Sequence, residues 1–388
     1  MIKIKNFKFY ILATLLFPLF SCEKESKYDL NENAINSHYV SKEKAIDVAN
    51  TFFKKFVNNS DASRNLDVEK EIETICTVKN VDNDDVLYSI NYIDGGYVLV
   101  AADDRTSPIR AFSEESSFII DNETLPDPVI EWLEYEKEAI KIIKDNNLTQ
   151  MLEIEAEWDY LDKTIQQTSP CSNSIFKKEP LLTTNWGQGA GYNNLTPLIC
   201  SGVRAPTGCV PTAMAQILKY HSKPHSYFDY NQMDDHIGMF ETQKLMLGVG
   251  LSVGVIYNCA ETSLSGNNSS NIVNTFKGFF GYSDARLNYY VPQFVFNNIN
   301  ANLPVLLTGQ GDSGHAWVAD GTWYIVLRSP DSNGNCATLG FRFLHMNWGW
   351  GRSGVFSNAP NGWFNENNFN PSNMTYNYNR KMIYNIIP

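Results

Sequence analysis

The residues best placed to do chemistry lie in Thr207-Gly208-Cys209-Val210-Pro211-Thr212-Ala213-Met214-Ala215-Gln216-Ile217-Leu218-Lys219-Tyr220-His221, where a cysteine stands at the mouth of an apparent helix. Apolar or small residues at Val210, Ala213, Met214, Ile217 and Leu218 mark one helical face, and Gly208 permits a tight entry turn. Pro211 is tolerated only in a first turn, so the helix must begin close to Cys209. Backbone N–H groups and the helix dipole at such a start favour a thiolate over a thiol, and the thiolate is the nucleophile. A nucleophilic thiol also needs a base. His38 lies in an acidic first half, whereas His221, His225 and His236 lie at or beyond the end of the Cys209 helix. His221 is about 18 Å from Cys209 along a helix axis and cannot touch the sulfur. His315 follows Ser313-Gly314 at the head of a β-like run, far downstream, where only the fold can bring it to the cysteine.

A third group is present in His345-Met346-Asn347-Trp348-Gly349-Trp350-Gly351. Asn347 is suited to accept a hydrogen bond from the far ring nitrogen of His315, which would fix its tautomer and aim. Trp348 or Trp350 would cover that bond and exclude water. His345 is the rival base, but strand alternation puts it on the same face as Asn347, and His315 is preferred.

Composition sets the frame for these residues. The 388 residues are 43% hydrophobic and 13% aromatic, enough for packed cores in two to three domains, with no repeat array. Residues 22–175 carry 32 acidic against 15 basic side chains, while residues 176–388 carry 11 against 13. This asymmetry predicts two units with different jobs, the first either docking on the second or merely well solvated. Neither half has the basic excess that nucleic acid requires. The seven cysteines show no Cys-x-x-Cys pair, which argues against a zinc site or a disulfide scaffold and leaves room for one bridge.

In the first half, Ser41 opens an amphipathic helix with Ala45, Val48, Ala49, Phe52, Phe53 and Phe56 on its apolar side. Leu87 to Tyr92 and Tyr97 to Ala101 read as a hairpin around Ile93-Asp94-Gly95-Gly96, Ile109 to Phe112 and Ser117 to Ile120 as short strands, and Val129 to Lys144 as helix. Thr164 to Ser174 reads as an exposed linker and a place to cut. In the second half the helix comes first and strands follow: Leu303 to Thr308, His315 to Asp320, a turn at Asp320-Gly321, Trp323 to Arg328, and Phe341 to Met346. The expected class is α+β.

At the N-terminus, Lys3, Lys5 and Lys8 precede an apolar run from Phe9 to Phe20, too short for a membrane span of about 20 residues and suited to a secretion signal. Leu19-Phe20-Ser21-Cys22 resembles a bacterial lipobox, with Cys22 as the lipidated residue and a polar tether behind it. A secreted or cell-envelope lipoprotein of a Gram-negative bacterium is expected, with exposure at the cell surface as one option.

The blocks Thr207 to Ala213 with Gln216 to His221, Gly314-His315-Ala316-Trp317-Val318-Ala319-Asp320-Gly321, and Asn347-Trp348-Gly349-Trp350-Gly351 resemble those of the streptopain family of cysteine peptidases. The resemblance extends to Trp186-Gly187-Gln188-Gly189, and implies that Gln188 and the Cys209 N–H line an oxyanion hole. It also implies a papain-like fold, no metal or organic cofactor, and an inhibitory propeptide in Ser41 to Val57, Gly96 to Arg105 and Ala111 to Phe118. Pro211, Ser313 and Arg352 depart from the family pattern, and bear on the shape of the cleft around Gly314 more than on the reacting groups.

These readings combine into a signal peptide at 1–21, a tether and acidic propeptide at 22–175 and a papain-like peptidase at 176–388. The expected function is a cysteine endopeptidase made as a zymogen, acting on protein or peptide substrates, inhibited by its own propeptide and tied to the membrane through its lipid. The alternative is a catalytically silent surface lipoprotein that keeps the fold for binding.

Overall fold

The computed structural model describes residues 20–24, 38–57, 70–120, 127–162, 174–224, 226–259, 263–264, 269–309, 315–330, 336–351, 361–366 and 380–388. The first half contributes strands β1 (Phe20–Lys24), β2 (Ile72–Lys79), β3 (Asp85–Tyr92), β4 (Tyr97–Ala101) and β5 (Ile109–Ser113). Helices α1 (Lys42–Phe52), α2 (Asp127–Asp145) and α3 (Leu152–Leu161) complete it. Strand β6 (Ser174–Lys178) leads into helices α4 (Cys209–His221) and α5 (Phe240–Val253), then β7 (Asp284–Tyr289) and α6 (Pro292–Asn300). Strands β8 (Val305–Gly309), β9 (His315–Pro330), β10 (Cys336–Asn347), β11 (Gly362–Asn365) and β12 (Lys381–Ile387) close the chain. Helices α4 and α5 thus precede most of the sheet in the second half, although β6 comes before them and β7 before α6, and the class is α+β.

The sequence signals explain the local pieces. Ser41 caps α1 by accepting from the Lys44 N–H at 3.2 Å, and Ala45, Val48, Ala49 and Phe52 are buried at helical spacing. The β3–β4 hairpin turns through Gly95 at φ 79° and Gly96 at φ 96°, values that favour glycine. Ser117 to Ile120, in contrast, is not a strand. Side chains of β3 take its backbone groups instead: Asn91 accepts from the Phe118 N–H at 2.6 Å, and Ser89 donates to the Phe118 carbonyl at 2.7 Å.

The halves share one sheet. Twelve strands run in the order β1-β2-β3-β4-β5-β11-β10-β9-β8-β12-β7, with β6 on β9, and every recorded pairing is antiparallel. The join is β5 on β11, where Trp363 pairs with Phe112 and Phe364 with Ala111. Around it, Phe112 meets Phe52 at 4.9 Å, Phe343 at 5.0 Å and Trp323 at 5.1 Å between ring centroids. One of two apolar clusters therefore spans both halves, while the other surrounds α4 within the second half. The acidic half is docked rather than merely solvated, and an apolar face does the docking. Across the join Lys177 pairs with Glu114 at 3.2 Å. Inside the acidic half, Arg110 is held by Glu136 at 2.8 Å and Arg105 by Asp103 at 2.7 Å, so part of its charge is neutralised internally.

The expected break at Asp320-Gly321 is also absent. His315–Pro330 is one strand, with a bulge between Ala319 and Gly321. Asp320 is fully buried, accepts from the Leu182 N–H at 3.0 Å and bonds His345 Nδ1 at 2.7 Å. Gly321 serves close packing, since a Cβ there would lie 2.9 Å from both His345 and Trp363. The expected boundary at residue 175 falls inside β6, which pairs with β9 from Ser174 to Lys178. Residues 163–173, most of the expected linker, lie outside the described residues.

Phe112→Ala removes the ring at the centre of the join. Urea unfolding of the full-length chain should show a loss of about 3–5 kcal/mol, against under about 0.5 kcal/mol for Phe176→Ala. Phe176 is 61% exposed. Equal effects at the two positions would contradict a core shared by the halves.

Candidate active site

Cys209 is the first residue of α4, and Gly208 before it adopts φ 97° and ψ 151°, a conformation that favours glycine. The Thr212 N–H and hydroxyl both donate to the Gly208 carbonyl, at 3.1 and 2.9 Å, and close the first turn. Pro211 sits in that turn as its missing N–H demands. The rest of α4 is more enclosed than a single apolar face predicts. Every residue from Val210 to Leu218 is buried, including Thr212 and Gln216, because the helix lies between α5 and β9. Cys209 is half-buried and is not part of a disulfide.

The segment containing Gln188 is fixed to the start of this helix. The Thr207 N–H donates to the Gln188 carbonyl at 2.9 Å, which closes residues 188–207 into a loop beginning and ending beside Cys209. Gln188 itself is half-buried. Next to it, a Cβ on Gly187 would lie 3.0 Å from the Trp350 carbonyl oxygen, so backbone meets backbone there. On the other side, a Cβ on Gly349 would lie 3.2 Å from Thr212 of α4. The Cys209 helix, the Gln188 segment and the Asn347–Gly351 turn form one assembly.

His315 heads β9 opposite Gly309, and Asn347 ends β10 opposite Val318, so strand register puts both at the same end of the sheet. The hydrogen bond expected from His315 to Asn347 is absent. His315 Nε2 faces the carbonyl of Trp348 at 3.4 Å, a long contact. Asn347 is engaged elsewhere: its Oδ1 accepts from Gln216 Nε2 and the Gly349 N–H, each at 3.2 Å, and its Nδ2 donates to the Thr184 carbonyl at 2.7 Å. Two donors occupy both lone pairs of that oxygen, so the imidazole finds the next carbonyl along.

The tryptophans divide the shielding expected of them. Trp350 stacks over His315 at 6.2 Å, with Trp317 at 6.3 Å. Trp348 turns into the core against Trp317 and Phe364, each at 5.1 Å. Burial lowers the pKa of His315 to about 4, and the Trp348 carbonyl only partly opposes that shift. In this precursor form the imidazole is neutral at neutral pH.

The other histidines have separate occupations. His345 is held by Asp320, as described above. His221 lies at the far end of α4, bonds the Tyr282 hydroxyl at 3.0 Å, and is also lowered by burial to about 4. His38 pairs with Asp104 at 2.7 Å. His225, Gly314, Ser313 and Arg352 lie outside the described residues. Among residues the sequence reading did not assign, Gln216, Thr184 and Trp317 touch the assembly directly. A signal for Gln216 was present, since a polar residue two turns after Cys209 falls on the same helical face.

The comparisons with known proteins identify a cysteine endopeptidase with a papain-like second half, made as a zymogen with an inhibitor-type first half. The family models agree: residues 37–140 match the Spi protease inhibitor family, and residues 186–241 and 225–358 match the peptidase C10 family. The chain is a streptopain-like cysteine peptidase with a propeptide, its second half matching the peptidase C10 family. It is 26% identical to streptopain of Streptococcus pyogenes over 343 residues, covering 74% of this chain and 75% of that protein. It is also 26% identical to the thiol protease/hemagglutinin PrtT of Porphyromonas gingivalis, over 86% of this chain and 39% of that much longer protein. A fragment of prointerpain A from Prevotella intermedia shares the fold, with a TM-score of 0.57, 21% identity, and coverage of 82% of this chain and 99% of that one.

The depressed pKa of His315 predicts a pH dependence of stability. Between pH 6.5 and 4 the unfolded chain binds a proton at this residue that the folded chain refuses. Stability is therefore present above this window and lost as pH falls through it, by about 3 kcal/mol for His315 alone. In an inert Cys209→Ala background, urea unfolding of the parent and of His315→Gln isolates this contribution, because His221 and the buried Glu157 and Glu366 are common to both. The stability difference should shift by up to about 3 kcal/mol in favour of His315→Gln from pH 7 to pH 4. A difference independent of pH would contradict a buried, neutral His315.

Proposed function

We propose that Cys209 is the nucleophile and His315 the general acid and base, with Gln188 and the Cys209 N–H forming the oxyanion hole. The observation that carries this reading is the bond from the Thr207 N–H to the Gln188 carbonyl, which sets Gln188 beside the start of the Cys209 helix. The Cys209 sulfur adds to the peptide carbonyl carbon, and the oxygen takes the negative charge opposite donors worth about 3 kcal/mol each. His315, carrying the proton from the thiol, gives it to the leaving amine, and the C–N bond breaks. Neutral His315 then takes a proton from water, whose oxygen adds to the thioester carbon; the C–S bond breaks, and acid product and thiol are released. Asn347 serves as a positioning residue for the turn whose Trp348 carbonyl faces His315, and Trp350 shields the imidazole.

In this reading residues 1–21 direct export, tether and propeptide run from residue 22 to residue 173, and the peptidase begins at β6 rather than at the expected residue 176. The activating cut falls within 163–173, ahead of β6, because β6 belongs to the peptidase sheet. Cys22 is the lipid attachment point of an envelope protein. No helix among the described residues is long and apolar enough to cross a membrane.

Incubation of the full-length chain with casein tests the reading. The parent should process itself to a new N-terminus within 163–174 and cleave casein. Cys209→Ala and His315→Ala should remain unprocessed and at least about 10³-fold slower, and Gln188→Ala about 10²–10³-fold slower. A Cys209→Ala protein as active as the parent would overturn it. Intact mass of the membrane fraction should show an acyl addition that Cys22→Ser abolishes.

A further inference from the structure

Gln216 is fully buried in the middle of α4, where a primary amide is costly unless each of its polar atoms is satisfied. Its partners come from separate segments of the site. Oε1 accepts from the Trp186 N–H at 3.2 Å and from Asn347 Nδ2 at 3.3 Å, and Nε2 donates to Asn347 Oδ1 at 3.2 Å. The two side-chain amides thus lie head to tail. Backbone groups leave no freedom to flip either of them: the Trp186 N–H requires an oxygen from Gln216, the Thr184 carbonyl requires the Asn347 nitrogen, and the Gly349 N–H requires the Asn347 oxygen.

Each partner stands next to a reacting position. Trp186 is two residues before Gln188, Asn347 precedes the Trp348 carbonyl that faces His315, and Gln216 is two helical turns after Cys209, about 10 Å along the axis. We infer that Gln216 is a positioning residue for catalysis, whose buried amide holds the oxyanion segment and the His315-facing turn in register on the Cys209 helix. The inference rests on the dyad reading above. It assigns Asn347 an indirect role, because Gln216 and Gly349 saturate its oxygen and the imidazole is aimed by the neighbouring carbonyl. Displacements of a fraction of an ångström at such a site cost rate rather than affinity.

The test uses full-length chains processed in trans by affinity-tagged parent enzyme, which is then removed on resin. Gln216→Met keeps length and volume and deletes all three hydrogen bonds. Gln216→Glu keeps the acceptor toward the Trp186 N–H, and supplies a donor toward Asn347 only while its carboxyl is protonated. Relative to parent, Gln216→Met should lower kcat about 10–100-fold with KM within about twofold. In Gln216→Glu the kcat ratio to parent should fall as pH rises through ionisation of the new carboxyl, a profile that a purely structural role does not produce. Asn347→Ala combined with Gln216→Met should lose little beyond the larger single loss. If Gln216→Met fails to fold, the pH profile of Gln216→Glu decides alone. A kcat within twofold of parent at every pH, or losses that simply multiply in the double variant, would overturn the inference. If Cys209→Ala is inert while the Gln216 variants are fully active, this inference fails and the dyad reading stands.

Discussion

The whole site depends on one constraint, that α4 is buried on every side from Val210 to Leu218. An amphipathic surface helix can shift by a fraction of a turn when one contact is lost. A helix enclosed between α5 and β9 has no such freedom, and its first residue is fixed in space by the packing of the nine that follow. Enclosure also forces its polar residues to find partners. Thr212 turns back onto the Gly208 carbonyl, and Gln216 reaches across to Trp186 and Asn347. The hydrogen bonds that burial demands are those that bring the other parts of the site to the thiol.

The second organising element is the shared sheet. Pairing β5 with β11 satisfies a strand edge that would otherwise invite another chain, and it covers Trp363, Phe343 and Trp323 with Phe112 and Phe52. Latency follows from packing of this kind without a large electrostatic term, which suits a second half with almost no net charge. The same core reaches Trp317 and Trp348, the residues around His315. Removing the first half changes the packing beneath the imidazole, so burial of His315 and attachment of the propeptide are physically linked.

Much of this was legible in the sequence. Local rules fix α1, the β3–β4 hairpin and the start of α4, because a Ser cap, paired glycines and a first-turn proline act within a few residues. The positions of Cys209, Gln188, His315 and Asn347 follow from spaced blocks of residues. Local patterns failed where tertiary partners override them. Ser117 to Ile120 has strand-like composition, but Asn91 and Ser89 capture its backbone. Asp320-Gly321 has turn composition, but a buried carboxylate and the approach of His345 make it a bulge inside a long strand. The joining of two compositionally distinct halves into one sheet was invisible, since strand edges carry no label in a one-dimensional pattern. The absent bond from His315 to Asn347 has the same cause: Gln216 competes for that oxygen from a position 131 residues away in the chain.

The central claim is that Cys209 and His315 form a catalytic pair that is latent while His315 stays buried and neutral. The most direct measurement is the rate of Cys209 alkylation by iodoacetamide as a function of pH, before and after processing. The account predicts that the precursor shows the ordinary profile of a thiol helped only by its helix start, its rate rising at a higher pH than in the processed enzyme, which is already fast near pH 5 because imidazolium holds the sulfur as thiolate. His315→Ala should return the processed form to the ordinary profile. Identical profiles before and after processing, or a processed enzyme indifferent to His315→Ala, would contradict it.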